Sequence, residues 1–122
     1  MFSKNTGKLE SFIGINSVFK GDVDTKGTLR IDGAMEGNVS ADWVVLGEKA
    51  SFKGDITARG IIVGGRVEGN LRAKERVEIK TKGQVLGDIY TNKFSIVEGG
   101  IFSGKSSMEG GTKIVELQAK EK

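Results

Sequence analysis

Asp22, Asp55 and Asp88 each follow a glycine, and Asn38 and Asn70 hold the same place in the intervening copies of the motif. Paired carboxylates at a fixed separation are the equipment of glycoside hydrolysis, so these residues are the first candidates for chemistry. Their regular recurrence argues instead for a ladder of turn residues, because Asp and Asn beside glycine hydrogen-bond local backbone. The chain has no histidine and no cysteine. The commonest general base and metal ligand, the usual pH switch, disulfides and thiolate metal sites are therefore missing. The glycine pairs Gly64-Gly65, Gly99-Gly100 and Gly110-Gly111 do not form a phosphate loop: the Gly60 to Gly65 stretch lacks the following Lys-Ser/Thr and helix. These observations predict no enzyme activity, no metal, no cofactor and no nucleotide.

The net charge is +3, with acidic and basic residues interleaved. The densest basic stretch, Arg72, Lys74, Arg76, Lys80 and Lys82, is diluted by Glu75 and Glu78. It reads as a solvated face, and no nucleic acid is expected. The longest apolar runs, such as Trp43-Val44-Val45-Leu46, are too short to span a membrane as a helix. No apolar stretch of signal-peptide length stands near residue 1, and with no cysteine the expected location is cytoplasmic.

The elements that position the Gly-Asp/Asn units come from a repeat. The unit is apolar, any, Gly, Asp or Asn, apolar. It reads Phe19-Lys20-Gly21-Asp22-Val23, Met35-Glu36-Gly37-Asn38-Val39, Phe52-Lys53-Gly54-Asp55-Ile56, Val67-Glu68-Gly69-Asn70-Leu71 and Val85-Leu86-Gly87-Asp88-Ile89. A decayed copy closes the series at Phe102-Ser103-Gly104-Lys105-Ser106. The central glycines are 15 to 18 residues apart. An alternating apolar pair precedes each copy: Ile13/Ile15, Leu29/Ile31, Val44/Leu46, Ile61/Val63, Val77/Ile79 and Phe94/Ile96. The step from the second member to the next apolar residue is four or six, never five. Strand side chains alternate sides, so an even step keeps both residues facing inward.

A strand-rich repeat of this length fits one coil of a solenoid with about three short strands. The fold class is all-β: a right-handed parallel β-helix of about six coils with flexible N- and C-terminal tails. The uneven period disfavours the left-handed form, which uses a strict hexapeptide. Residues 1–12 are expected as an N-terminal tail, 13–106 as the β-helix and 107–122 as a C-terminal tail. Two aliphatic ladders are expected inside: Ile15, Ile31, Leu46, Val63, Ile79, Ile96, and Phe19, Met35, Phe52, Val67, Val85, Phe102. Glycine permits the sharp corner between strands.

A solenoid ends in coils whose backbone groups lack partners, and such edges template further pairing unless capped. Neither flanking segment carries a clear cap, although Ile114, Val115 and Leu117 could form a short strand or weak helix. The last coil is rich in apolar residues, Phe94, Ile96, Ile101 and Phe102, and the first offers Phe12, Ile13, Ile15 and Phe19. These eight residues are the expected polymerisation interface, joining copies of the chain end to end.

The six units in register, above all Leu29-Arg30-Ile31-Asp32-Gly33, Phe52-Lys53-Gly54-Asp55-Ile56 and Val85-Leu86-Gly87-Asp88-Ile89, resemble the bactofilin family of bacterial cytoskeletal proteins. The resemblance runs through residues 13–106. It implies nucleotide-independent filaments built by head-to-head and tail-to-tail contacts, hence without polarity. It also implies an aromatic residue of the last coil at the assembly contact, here Phe102 or Phe94. Attachment to the inner face of the cytoplasmic membrane, and a scaffold that positions cell-wall enzymes and influences cell shape, are implied as well. Met1-Phe2-Ser3-Lys4 resembles that family's membrane-targeting segment. Phe2 would insert in the interface while Lys4 and Lys8 meet anionic head groups. One aromatic and two lysines bind marginally, and a filament multiplies them. Tails in the family are often proline-rich, and this chain has no proline. The alternative is a non-polymerising β-helical module that binds a protein or glycan, with Trp43 and Tyr90 as its candidate surface aromatics.

Overall fold

The computed structural model describes residues 9–107 and 115–116. The first coil consists of β1 (Leu9–Ile13), β2 (Val18–Lys20) and β3 (Val23–Asp24), and the second of β4 (Thr28–Ile31) and β5 (Ala34–Ser40). β6 (Trp43–Leu46) opens the third, and β7 (Ser51–Val63) completes it and starts the fourth. β8 (Arg66–Ile79) completes the fourth and opens the fifth, which β9 (Gln84–Thr91) finishes. The sixth holds β10 (Phe94–Ile96), β11 (Ile101–Ser103) and β12 (Ser106–Ser107), and β13 (Val115–Glu116) lies on β10. Every pairing is parallel and joins a strand to its counterpart one coil away. The fold is thus an all-β parallel solenoid of six coils.

Alternation within each strand supplies the core. On the first face, Leu29, Val44, Ile61, Val77 and Phe94 stack beside Ile13, Ile31, Leu46, Val63, Ile79 and Ile96. The second face stacks Phe19, Met35, Phe52, Val67, Val85 and Phe102. The third stacks Val23, Val39, Ile56, Leu71, Ile89 and Ser106. In the middle coils these side chains are buried. The residues two before and two after each glycine both face inward, and the chain turns at the glycine between them.

Gly21, Gly37, Gly54, Gly69, Gly87 and Gly104 make that turn with φ between 136° and 150°, a region closed to other residues without strain. From Gly37 onward a second constraint applies: an added Cβ would run into the carbonyl oxygen of the glycine one coil earlier. The neighbouring polar residue locks the stack. The Asn38 backbone N–H and Nδ2 donate to Asp22 Oδ1 at 3.1 and 3.4 Å, and those of Asn70 donate to Asp55 Oδ1 at 3.4 and 3.2 Å. Alternation of Asp with Asn keeps two carboxylates from meeting in adjacent coils.

Two expectations are corrected. Ile13, not Ile15, heads the first ladder opposite Ile31; Ile15 stands in the corner, 52% exposed. Steps of four from Ile15 and six from Ile13 both reach Phe19 with the same parity, so parity alone does not choose between them. The corner geometry does. Ser17 N–H donates to the Gly14 carbonyl, the same bond made at Ala50 to Gly47, Gly83 to Lys80 and Gly100 to Val97, each at 2.9–3.0 Å. These are the long corners of the rod, and the first coil has one. The solenoid also exceeds residues 13–106 at both ends. β1 starts at Leu9, with polar Ser11 opposite Leu29 where the apolar pattern is blank. β13, inside the expected C-terminal tail, pairs Val115 with Phe94.

Candidate functional site

The ends of the rod are where the fold leaves its repeating interactions incomplete. At the first coil, Ile13, Phe19 and Val23 pack against the core from below yet remain half-buried. They are the terminal rungs of one ladder on each of the three faces. Phe12 projects outward beside Arg30 and is 57% exposed, so together with Ile15 it flanks this layer rather than belonging to it. Of the four expected residues, the structure brings Ile13 and Phe19 together at the end face. Val23 was missing from that set, although the four-residue step from Phe19 across Gly21 marks it as inward.

At the last coil the arrangement differs. Phe94 and Ile96 are buried, and Phe94 is sandwiched in register between Val77 and the β13 position Val115. Phe102 is half-buried and meets Phe94 edge-on, ring centroids 5.1 Å apart at 86°, a favoured aromatic geometry. Ile101 points outward and is half exposed. Phe102 is therefore the expected residue that the fold presents at this end. Beside it, Ser106 takes the rung that Ile89 holds one coil earlier, and its buried hydroxyl finds no partner among the described residues. Met1, Phe2, Ser3, Lys4 and Lys8, the expected membrane-binding residues, lie outside the described residues.

The flanks carry charge pairs two residues apart on one side of a strand. Arg30 grips Asp32 through two bonds at 2.9 and 3.0 Å, Arg66 meets Glu68 at 2.9 Å, and Glu78 lies between Arg76 at 2.7 Å and Lys80 at 3.1 Å. Hydrogen bonding to Asp32 raises the Arg30 pKa despite the opposing effect of burial. Burial pushes the Glu78 carboxyl up, but the hydrogen bonds and charges of Lys80 and Arg76 together outweigh it and hold the group below the usual 4.5. Neither Trp43 nor Tyr90 stands free. An added Cβ at Gly60 would strike the Trp43 ring, which lies over that glycine, and the Arg72 guanidinium covers one face of Tyr90 at 4.7 Å. Among the described residues, no three acidic, histidine or cysteine side chains gather as metal ligands. Among the described residues, no helix is long and apolar enough to cross a membrane.

Comparison with known proteins agrees with this architecture. The family model described as "Bactofilin: Polymer-forming cytoskeletal" matches residues 11–107. Bactofilin BacO of Myxococcus xanthus (strain DK1622) is 30% identical over 107 residues, spanning 87% of this chain and 85% of BacO. Bactofilin BacP of the same organism is 29% identical over 97 residues, 79% of this chain and 40% of BacP. Among solved structures, the cryo-EM reconstruction of Thermus thermophilus bactofilin double helical filaments has a TM-score of 0.74 at 22% identity, covering 82% of this chain and 100% of that one. That last likeness concerns the fold alone. A family model spanning six coils, with a relative similar over most of both lengths, places this chain in the bactofilin family of polymer-forming cytoskeletal proteins.

Proposed function

We propose that the chain is a scaffold subunit that joins end to end through its terminal coils into filaments. The carrying observation is that each end finishes on half-buried apolar rungs that still pack on the core: Ile13, Phe19 and Val23 at one end, Phe102 at the other. Stacking a second copy completes their burial, and fully burying such a side chain is worth ~1.5–3 kcal/mol. Completed pairing of the edge strands adds to this. Assembly driven by burial needs no nucleotide. The family resemblance favours like-to-like contacts, first coil on first coil and last on last, which give a filament without polarity. The same resemblance supports a filament attached to the inner face of the cytoplasmic membrane through Met1, Phe2, Ser3, Lys4 and Lys8, with cell-wall enzymes as its clients. The role is structural rather than catalytic.

Sedimentation and negative-stain microscopy of the purified chain without nucleotide test the first part. Filaments are expected, and a monodisperse monomer at all concentrations would refute it. Co-sedimentation with phosphatidylglycerol vesicles tests the second: a chain lacking residues 1–8 is expected to lose binding, and unchanged binding rules the segment out as the anchor.

A further inference from the structure

Along one corner of the solenoid a groove of about 810 Å³ runs parallel to the rod axis, from Ser40 in the second coil to Ser107 in the sixth. Buried Ala58 and Ala73 lie at its base, and small residues there make the corner concave. Its rim is cationic. Arg59, Arg72 and Lys74 border it against a single carboxylate, Asp42, which Arg59 already engages at 2.9 Å. All ion pairs among the described residues involve other cations, so Arg72 and Lys74 have no carboxylate there. Arg72 is nevertheless held in place, stacked 4.7 Å over Tyr90. A fixed guanidinium without an acidic partner is a preorganised anion receptor, with five donors in a planar fork.

We propose that this groove docks an extended acidic peptide segment of a partner protein, with Arg72 and Lys74 as its anchors. The dimensions fit: four coil steps of ~4.8 Å give ~19 Å, the span of about six extended residues at ~3.3 Å each. The groove crosses the strands rather than following an edge, so the partner is read by side chains and not by strand addition. A concave channel does not match a flat bilayer. The face of Tyr90 on which a sugar ring would stack is taken by Arg72. Because the groove lies on the flank, end-to-end stacking leaves it open and repeats it along a filament, and multivalent partners then gain avidity. Its existence does not depend on polymerisation.

The test is fluorescence anisotropy of the full chain with a fluorescein-labelled hexapeptide of alternating Glu and Ser, against the same peptide with Gln for Glu. Saturable binding of the acidic probe alone is expected, weakening with salt. Arg72→Gln with Lys74→Gln is expected to weaken it about tenfold through loss of charge-assisted bonds. Lys49→Gln with Lys53→Gln removes the same charge from another exposed face and is expected to change affinity less than twofold. Equal losses in the two pairs would show unspecific attraction and overturn the proposal, as would absence of binding. Unchanged peptide affinity with lost binding to phosphatidylglycerol vesicles in the Arg72/Lys74 variant would assign the groove to lipid and overturn it too.

Discussion

Phe102→Arg separates folding from assembly. In the folded chain Phe102 ends its ladder on Val85 and leans edge-on against Phe94. Being half-buried, it contributes about half of the ~1.5–3 kcal/mol of a fully buried side chain, and the aromatic pair adds ~0.5–1.5 kcal/mol. Arginine recovers part of the packing through its methylene stem. The net loss of about 1–2 kcal/mol is tolerable to a domain stable by ~5–15 kcal/mol. At a desolvated end contact the same guanidinium is an unpaired buried charge, which costs ~3–5 kcal/mol. With each 1.4 kcal/mol worth tenfold, the critical concentration should rise by roughly two to three and a half orders of magnitude. Sedimentation over a concentration series reads this, with circular dichroism and thermal melting confirming the fold. Ile101→Arg, on the outward side of the same strand, should raise it by no more than about threefold, the effect of a rim charge. A folded Phe102→Arg chain that polymerises at the wild-type concentration would refute the reasoning. Equal effects of the two variants would show that the contact is not made through the inward ladder.

The corner glycines predict a position-dependent cost. Gly54→Ala meets both an unfavourable φ and the Gly37 carbonyl and should lose about 3 kcal/mol or more; Gly21→Ala, whose nearest obstacle is the Phe19 ring at 3.5 Å, meets only the φ strain of ~1–3 kcal/mol. Equal losses in thermal unfolding would contradict the stacking account. Ser106→Val removes an unpartnered buried hydroxyl and extends the Val23-to-Ile89 ladder, so urea unfolding should show a gain of ~1–3 kcal/mol. Glu78 titrates below 4.5 in the folded chain, so its stabilisation is present above that value and is lost as pH falls through the lower folded pKa. Comparing urea midpoints at pH 7 and pH 3, Glu78→Gln should flatten the difference by less than about 1 kcal/mol. Ending the chain after Ser107 removes β13 from the β10 edge, a pairing of about two ladder bonds at ~1 kcal/mol each. That edge becomes free for another copy, and the critical concentration should fall by up to about 25-fold; a rise would show that β13 belongs to the contact.

The middle of the rod was legible in the sequence because two constraints repeat there without exception. Glycine is required where the chain turns with positive φ, and apolar residues fill the ladders on all three faces between the end coils. The second ladder, from Phe19 to Phe102, stands in the structure in the register that the glycines set. Legibility fails at the ends, where the pattern stops being over-determined. Ser11 occupies an inward-facing register place with a polar side chain, and Ile15 puts an apolar one in a corner. Only the hydrogen bond from Ser17 to Gly14 tells the six-residue corner from the four-residue one. Parity could not have supplied it. The pairing of Val115 with Phe94 was hidden differently, since it lies 21 residues on, beyond the 15 to 18 of the repeat. The groove needed three dimensions: Arg72 and Tyr90 belong to different coils, and their stacking is a consequence of register.

The two ends are not equivalent, and this gives the Phe102→Arg variant a second reading. The first coil exposes the edges of β1, β2 and β3, each paired on one side only among the described residues. In the last coil β11 and β12 are likewise bare, but β10 is covered by β13. If a filament joins unlike ends, each contact contains one Phe102, and the variant leaves monomers. If it joins like ends, every contact is two-fold symmetric and uses one patch twice. The variant then opposes two guanidinium groups at last-coil contacts and leaves first-coil contacts untouched. Ile13, Phe19 and Val23 still bury one another across that surviving interface, and the product is a dimer. Light scattering on the variant, at concentrations where the wild type polymerises, therefore reports filament polarity from mass alone. A dimer that falls to a monomer on adding Phe19→Arg supports the non-polar arrangement, and a monomer from Phe102→Arg by itself refutes it.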